Sequence, residues 1–194
     1  MTYDDGMRER TRRALNISSY NSTFDNFKAL AGTEKSLAAF KAFTGETTWN
    51  MLLNIGTAGC GKTHLCEALS LAWLEQGIRV RVYVWPEFIK LLQSTFKGDL
   101  QGQLDTIFTR YKKAPRLIMD DVGMGGAVDK SWEWGVLDEL INYRWRERLI
   151  TVMTTNLDIT ELPDRTVSRF RDRLYGRVIL NNSEDYRPKR GYSD

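Results

Sequence analysis

A glycine-rich stretch in the first half of the chain, residues 56–63, has the spacing of a phosphate-binding loop: a glycine, four residues, then Gly-Lys-Thr. Glycines let the backbone wrap around an anion with its N–H groups pointing inward, and the start of a following helix adds a positive dipole. In this pattern Lys62 reaches the terminal phosphates and Thr63 binds magnesium. An ordinary glycine-rich turn needs no lysine followed by threonine, so the stretch predicts a site for ATP or ADP with Mg²⁺. The residues expected to hold the nucleotide are Gly56, Thr57, Ala58, Gly59, Cys60, Gly61, Lys62, Thr63 and His64.

Two acidic residues follow the apolar run 117–119, at the point where a strand would end. Ligands bind at the carboxyl ends of parallel strands. Asp120 could supply a magnesium ion bound there with a second protein oxygen ligand, in addition to that of Thr63. Asp121 stands where many ATPases keep a glutamate that activates water. Its shorter side chain can still orient water, and it predicts slow turnover. Taken alone, these acids also fit a strand that simply ends in solvent.

An amide follows the next apolar run, where Thr154 and Thr155 precede Asn156. Beside the same phosphate edge, an amide can position water or sense the terminal phosphate. By itself an asparagine after a strand is usually a turn residue. The position of this strand in the predicted sheet favours the functional interpretation.

Arginines are concentrated near the end of the chain, with five between residues 165 and 177. Arg165, Arg169 and Arg173 recur every four residues, so a helix would place them on one outward face and put Val167, Phe170 and Leu174 on the other. A solvated basic face is one interpretation. The other is that one arginine crosses a subunit interface to a neighbour's ATP, which requires an oligomer.

The apolar pattern around these motifs predicts the elements that position them. Strands separated by helices need long crossovers, so the pattern indicates an α/β fold with a parallel sheet covered on both faces. The predicted strands are 51–55, 79–85, 117–120, 149–154 and 178–180. Helices are expected from Glu34, after the glycine-rich loop, from Pro86, from Asp99, from Ser131 and after Pro163, and the Pro86 helix should bury Phe88, Leu91, Leu92 and Phe96.

The length and composition of the chain limit the classes of protein to which it can belong. The 194 residues, 42% of them hydrophobic, are enough for one well-packed domain, and the polar residues 1–22 predict a mobile lead. A net charge of only +3 means that any site for a polyanion must be local. Apolar runs fall short of the roughly 20 residues that span a bilayer, and the N-terminus lacks a secretory signal, so a cytoplasmic protein without a membrane partner is expected. Two cysteines and one histidine favour neither a disulfide framework nor a zinc site.

Together these motifs resemble the DnaC/DnaI/IstB group of AAA+ ATPases, which contains bacterial and phage helicase loaders and transposition helper ATPases. The segments that carry the resemblance are 23–27, 56–63, 117–123, 154–156, 168–173 and 185–187. The resemblance implies a P-loop NTPase of the AAA+ type, with a five-stranded parallel sheet of order 5-1-4-3-2 between helices and no C-terminal lid domain. It places the ATPase domain at 23–187 and a tail at 188–194.

The same resemblance implies roles for individual residues. Arg169 would be the arginine finger that acts in trans, supported by Arg165 or Arg173, and Phe24 and Phe27 would border adenine. The helix pair 86–111 would be the inserted element that holds an open spiral around single-stranded DNA. Its DNA-contacting residues would be Lys90, Phe96 and Lys97, with Lys130 nearby, although the spacing of Phe96 fits core packing equally well.

The function implied by the resemblance is an ATP-hydrolysing helicase loader that self-associates with ATP on single-stranded DNA and helps to place a replicative hexameric helicase during replication initiation. Three alternatives stay open. One is an IstB-like transposition helper that binds duplex DNA. Another is a monomeric P-loop kinase for a small molecule, and the last is an adaptor that binds ATP without hydrolysing it. Preference for single-stranded or duplex DNA, nucleotide-dependent assembly and phosphate release distinguish them.

Overall fold

The computed structural model describes residues 22–96, 101–124 and 129–187, without the side chains at 95, 96 and 101–104. The expected lead, apart from its last residue, and the expected tail at 188–194 lie outside these ranges. Helices and strands alternate along the chain. In order they are α1 (Glu34–Ala42), β1 (Met51–Gly56), α2 (Lys62–Glu75), β2 (Arg81–Val84), α3 (Trp85–Phe96), α4 (Gln101–Lys112), β3 (Arg116–Asp120), α5 (Lys130–Arg146), β4 (Ile150–Thr155), a 3₁₀ turn (Ile159–Glu161), α6 (Asp164–Phe170) and β5 (Gly176–Asn181).

Within the described residues, the sheet has five parallel strands in the order β2-β3-β4-β1-β5. This confirms the predicted fold class and strand order. Strand β1 is central to the site: Met51 pairs with Thr151 of β4 on one side and with Gly176 of β5 on the other. Since parallel strands end at the same edge, the segments that follow β1, β3 and β4 meet at the carboxyl edge of the sheet.

The sheet is buried on both faces, which explains why its strands are nearly continuous apolar runs. All six residues of β1 are buried, and their side chains alternate between two hydrophobic clusters. Met51, Leu53 and Ile55 pack with α3, α5 and α6, whereas Leu52 packs with α1 and α2. Among the helices of the described ranges, none has the length and apolar character needed to cross a membrane.

The boundary between β2 and α3 differs from the expected one. The strand was expected to run to residue 85, but Trp85 begins α3. Its indole is fully buried and donates to Glu133 Oε1 of α5 at 2.5 Å. This contact with another element draws the tryptophan out of the strand. On the same helix the expected burial of Leu91 is wrong, since Leu91 is 42% exposed while Ile89 is buried.

Helices α5 and α6 also differ from expectation at their ends. The side chain of Asp129 accepts the backbone N–H of Ser131, so Asp129 caps α5 in place of the expected Ser131. Helix α6 ends at Phe170 because the chain turns back to begin β5: a Cβ on Gly176 would lie 2.2 Å from the Phe170 carbonyl oxygen. The expectation that Leu174 is buried on this helix is therefore wrong, and it is 69% exposed. Arg173 likewise lies beyond the helix.

A fully buried arginine, Arg144 of α5, connects the end of α4 to the sheet. Its guanidinium donates to backbone oxygens at the C-terminal end of α4, just beyond it and in β4, and Nε donates to Thr151 Oγ1. Burial lowers the pKa of Arg144 to about 10. The arginine thus supplies buried donors to carbonyl groups at the end of α4 and in the sheet, although the Tyr111 carbonyl also accepts the Ala114 N–H. The accepting carbonyls belong to Tyr111, Lys112, Ala114 and Ile150.

Candidate active site

Two glycines set the shape of the loop between β1 and α2. Gly59 and Gly61 have φ angles of 76° and 87°, in the left-handed region that favours glycine. The surroundings also exclude a side chain, because a Cβ would lie 2.7 Å from the Phe27 ring at Gly61 and 1.6 Å from Asp185 Oδ1 at Gly59. Helix α2 begins directly after the loop at Lys62, so its N-terminus adds a positive dipole to the loop.

The ammonium group of Lys62 lies inside this loop. Lys62 is only 6% exposed, and Nζ donates to the carbonyl oxygens of Gly56 and Thr57 at 2.8 Å each. It also donates to Asn156 Oδ1 at 2.5 Å. These acceptors are neutral, and a buried cation with neutral partners favours an anionic ligand. The geometry fits the predicted contact between Lys62 and phosphate.

The two residues predicted to hold magnesium are in direct contact. The hydroxyl of Thr63 donates to Asp120 Oδ2 at 2.7 Å, and Asp120 is 3% exposed. The other carboxylate oxygen accepts the Thr154 hydroxyl at 2.5 Å, which fixes the orientation of the carboxylate. A hydroxyl oxygen and a carboxylate oxygen are ligands that Mg²⁺ prefers. Thr63 and Asp120 are therefore fit to hold this ion next to the phosphate loop.

The second acid, Asp121, faces Asn156. The Asn156 amide donates to Asp121 Oδ1 at 2.9 Å while its oxygen accepts from Lys62. Burial, and to a lesser extent the nearby Asp120 carboxylate, raises the pKa of Asp121 above its ordinary value, against the opposing charges of Lys62 and Arg187. Asp121 also has a φ of 63°, unusual for a residue other than glycine. Three of the four predicted catalytic groups, Lys62, Asn156 and Asp121, form one chain of contacts.

A cavity of about 470 Å³ opens beside the loop. Phe27 and His64 form part of its wall, with their rings edge to face at 5.2 Å. Phe24 instead packs against the hydrophobic cluster under α1 and α2. Glu67, Tyr186 and Arg187 also line the cavity without having been predicted. Among the described residues, the lining consists of Ser22, Asn26, Phe27, Lys28, Leu30, Thr33, Ala58, Gly59, Cys60, Gly61, Lys62, Thr63, His64, Glu67, Asp121, Asn156, Tyr186 and Arg187.

The arginine predicted as a finger, Arg169, packs on its own chain at the end of α6. Its guanidinium lies 4.1 Å from the ring centroid of Trp145 and donates to Asn142 Oδ1 at 3.2 Å. The expectation that these arginines point outward holds for Arg165 and Arg173, which are exposed, and is wrong for Arg169, which is half-buried. Arg169 does not line the cavity of its own chain.

The residues predicted to contact DNA are only partly described. Lys90 is exposed on α3. Lys130 donates to the Gly123 carbonyl oxygen at 2.7 Å, and its ammonium lies 3.2 Å from Glu133 Oε2. The Phe96 side chain and the whole of Lys97 lie outside the described part of the chain.

A model of the family described as IstB-like ATP binding protein matches residues 13–181. This match covers most of the chain and includes the phosphate loop, the acids after β3, Asn156 and Arg169.

Curated relatives include proteins of replication and of insertion sequences. DnaA, the chromosomal replication initiator of Campylobacter jejuni, is 34% identical over 115 residues, which are 57% of this chain and 26% of DnaA. The replicative helicase loader DnaC of Buchnera aphidicola is 24% identical, over 79% of this chain and 63% of that protein. A protein of Sinorhizobium fredii named for insertion sequence ATP binding is 30% identical, over 85% of this chain and 57% of that protein. The chain thus spans about a quarter of the length of DnaA, 63% of the length of DnaC and 57% of the length of the insertion sequence protein.

Solved structures share the fold. AMPPCP-bound DnaA from Aquifex aeolicus superposes with a TM-score of 0.72 at 20% identity, covering 88% of this chain and 53% of that one. The DnaC helicase loader superposes with a TM-score of 0.67 at 21% identity, covering 85% of this chain and 99% of that one.

Proposed function

Since the chain belongs to the IstB-like ATP-binding protein family, we propose that it is a slow ATPase that self-assembles with ATP on single-stranded DNA and helps to place a replicative helicase. The contact chain from Asp121 through Asn156 to Lys62, beside the Thr63–Asp120 pair, carries the ATPase part of this proposal. These groups have the donor and acceptor types that phosphoryl transfer to water requires.

Nucleotide binding in the proposal uses the loop and its helix. Lys62 exchanges its neutral oxygen partners for phosphate oxygens, and the backbone N–H groups of the loop surround the phosphates. Mg²⁺, held by Thr63 and Asp120, would neutralise charge on the phosphates. The edge-to-face pair Phe27 and His64 offers an apolar and polarizable wall for the base.

Hydrolysis in the proposal depends on Asp121 and Asn156. Asp121 orients a water and accepts its proton, and burial raises the pKa of its carboxyl above the ordinary value, which makes the carboxylate a stronger base. Asn156 hydrogen-bonds to both Asp121 and Lys62. It therefore holds the Asp121 carboxylate, which orients the water, at a fixed position relative to the Lys62 ammonium, which binds the phosphate. The short aspartate side chain supports the expectation of slow turnover.

Self-assembly in the proposal completes the site with Arg169 of a neighbouring protomer. The arginine is held on the face of Trp145, and this stacking leaves guanidinium N–H groups for an acceptor. An arginine at the terminal phosphate neutralises charge that develops in the transition state. Hydrolysis is therefore expected only when protomers meet.

The DNA and helicase parts of the proposal are supported by the relatives named for helicase loading and replication initiation. Lys90, exposed on α3, is a suitable phosphate contact for single-stranded DNA, and we place Phe96 and Lys97 in the same role. Lys130 would exchange its contact with Glu133 for a DNA phosphate. The nature of the partner follows from these relatives alone.

A second candidate is a transposition helper that binds duplex DNA. The family description and the Sinorhizobium fredii relative favour it. It uses the same ATP site and the same trans arginine, and differs in the nucleic acid it encloses.

Light scattering with a non-hydrolysable ATP analogue and either single-stranded or duplex DNA tests the proposal. An increase in the mass of the protein assembly with the analogue and single-stranded DNA supports the loader. An increase that requires the analogue and duplex DNA, and is not seen with single-stranded DNA, supports the helper. A chain that stays monomeric under every condition and transfers phosphate to a small acceptor contradicts both, and identifies a kinase.

A further inference from the structure

Two guanidinium groups lie against the ring of Trp145, near the C-terminal end of α5. The Arg169 guanidinium lies 4.1 Å from the ring centroid, and the Arg148 guanidinium lies 5.1 Å from the same centroid. Arg148 also lies over the Tyr175 ring, 3.4 Å from its centroid. The arginine proposed as the trans finger therefore has a second arginine beside it on the same indole.

Arg148 occupies a backbone position that usually belongs to glycine. Its N–H donates to the Trp145 carbonyl oxygen at 3.3 Å, and the N–H of Leu149 donates to that of Arg144 at 2.9 Å. These two bonds form a Schellman motif at the end of α5, and Arg148 has the left-handed conformation that the motif requires, with a φ of 54°. The same motif ends α2 with a glycine, Gly77, at a φ of 72°. Glycine adopts this conformation at less cost than arginine, so the backbone alone does not explain the arginine.

The surface around the two guanidinium groups is positively charged. Trp145 Nε1 donates to Asp172 Oδ2 at 3.0 Å, and the charge of Arg148 acts on the Asp172 carboxylate. This carboxylate balances one of the two guanidinium groups, while the exposed Arg165 and Arg173 add two further positive charges nearby. Like charges held close together repel, and a bound anion relieves the repulsion. The cluster therefore favours an anionic ligand.

The nucleotide of the same chain is not that ligand. Among the described residues that line the cavity beside the phosphate loop, neither Arg148 nor Arg169 is present. Arg148 and Tyr175 precede β4 and β5, so they lie at the N-terminal edge of the sheet, whereas the phosphate loop lies at the carboxyl edge. A guanidinium at this edge can reach a triphosphate only when the triphosphate is bound to another protomer.

We propose that Arg148 enters the ATP site of a neighbouring protomer together with Arg169, as a second trans cation that contacts the phosphates. This inference rests on the proposed trans site and adds a residue to it. Trp145 supports both guanidinium groups, and Tyr175 holds the face of Arg148. One N–H of Arg148 donates to the Trp145 carbonyl oxygen at 3.3 Å, and a guanidinium has further donors at its edge for phosphate oxygens.

Arg148→Gly tests this inference, because glycine suits the left-handed backbone and removes the cation without adding strain. The variant should melt within about 3 °C of the parent and bind a labelled ATP analogue as a monomer as the parent does. Assembled with ATP and single-stranded DNA, it should release phosphate about tenfold more slowly, since one charge-assisted contact is lost. Arg148→Lys should keep part of the rate. Arg177→Ala is the matched control, because it removes another arginine stacked on a tryptophan, 4.5 Å from the Trp49 centroid, and it should behave like the parent.

A double variant separates a second cation from a mere support for the finger. Arg148→Gly combined with Arg169→Ala should release phosphate more slowly than Arg169→Ala alone, because two separate contacts are lost. Equal rates would show that Arg148 acts only through Arg169 and would overturn the inference.

Mixing Arg148→Gly with Lys62→Ala tests the trans position. Phosphate release should rise above that of Arg148→Gly alone, because Lys62→Ala protomers supply an intact Arg148 to neighbours with a working loop. A mixture without this rise, or equal rates for Arg148→Gly and Arg177→Ala, would overturn the inference while the finger role of Arg169 stands. Failure of the proposed trans site itself gives a different result, in which Arg169→Ala is as active as the parent when assembled.

Discussion

The ammonium of Lys62 and the side-chain oxygen of Asn156 lie 2.5 Å apart, although the two residues are 94 positions apart in the chain. Lys62 begins the helix after β1, and Asn156 follows β4. The two strands are neighbours, paired from Met51 with Thr151 to Ile55 with Thr155. Strand order thus brings the cation that we propose binds phosphate to the amide that also contacts Asp121.

Replacing Lys62 with alanine should abolish nucleotide binding. The variant loses the buried cation that lies inside the loop, and we expect MgATP affinity to fall about 100-fold or more. Fluorescence titration with a labelled ATP analogue measures this. Lys41→Ala, at an exposed lysine of α1, serves as the control. ATP binding by Lys62→Ala equal to that of the control would disprove the site assignment.

Replacing Asn156 with alanine should slow hydrolysis more than it weakens binding. The amide contacts Asp121 and Lys62, so its loss disturbs the water-orienting carboxylate while the loop stays intact. We expect steady-state phosphate release of the assembled protein to fall about 10- to 100-fold, with ATP affinity changed only a few-fold. Asn182→Ala, at an exposed asparagine after β5, should behave like the parent. A variant that hydrolyses ATP at the parent rate rules out the role of Asn156.

Replacing Trp145 with alanine should lower the activity of the assembled protein without affecting ATP binding by the monomer. The indole supports the Arg169 guanidinium, and such stacking is worth about 1–2 kcal/mol, or about tenfold in rate. Trp49→Ala removes a comparable stack on Arg177 away from the proposed finger. Equal phosphate release by the two variants would show that Trp145 does not position Arg169.

Replacing Arg144 with alanine should destabilise the fold. The variant leaves the carbonyl groups at the end of α4 and in β4 without their buried donor, and we expect the free energy of unfolding to fall by about 3 kcal/mol. Urea denaturation followed by circular dichroism measures this change. Arg146→Ala, two residues further along the same helix but exposed, should change stability by less than about 0.5 kcal/mol. Similar midpoints for both variants would contradict the bridging role of Arg144.

Local pattern was sufficient to predict much of this molecule. The loop at 56–63 is specified by a few adjacent residues, and its lysine and threonine lie where their spacing predicts. Nearly continuous apolar runs identified the strands because a sheet buried on both faces needs them. The strand order came from resemblance to a family, since periodicity does not determine which strands pair.

The features that were missed depend on long-range contacts. The sequence pattern predicts that helix α6 continues to Arg173, because Arg165, Arg169 and Arg173 are spaced four residues apart. In the structure the helix ends at Phe170, because Gly176 packs closely against the Phe170 carbonyl group. Arg187 was part of a recognised motif without a role, because its approach to the cavity depends on the return of the chain along the loop. The stacking of Arg169 on Trp145 joins two helices and leaves no local signal in the sequence.

Mixing two inactive variants tests the shared ATP site most directly. Lys62→Ala keeps Arg169 but lacks a working loop, and Arg169→Ala keeps the loop but lacks the finger. Each variant alone should release little phosphate with ATP and single-stranded DNA present, and the mixture should regain activity, because a Lys62→Ala protomer lends its arginine to an Arg169→Ala neighbour. If Arg169→Ala alone is as active as the parent in the assembled state, or if the mixture stays as inactive as its components, the site is not completed in trans by this arginine.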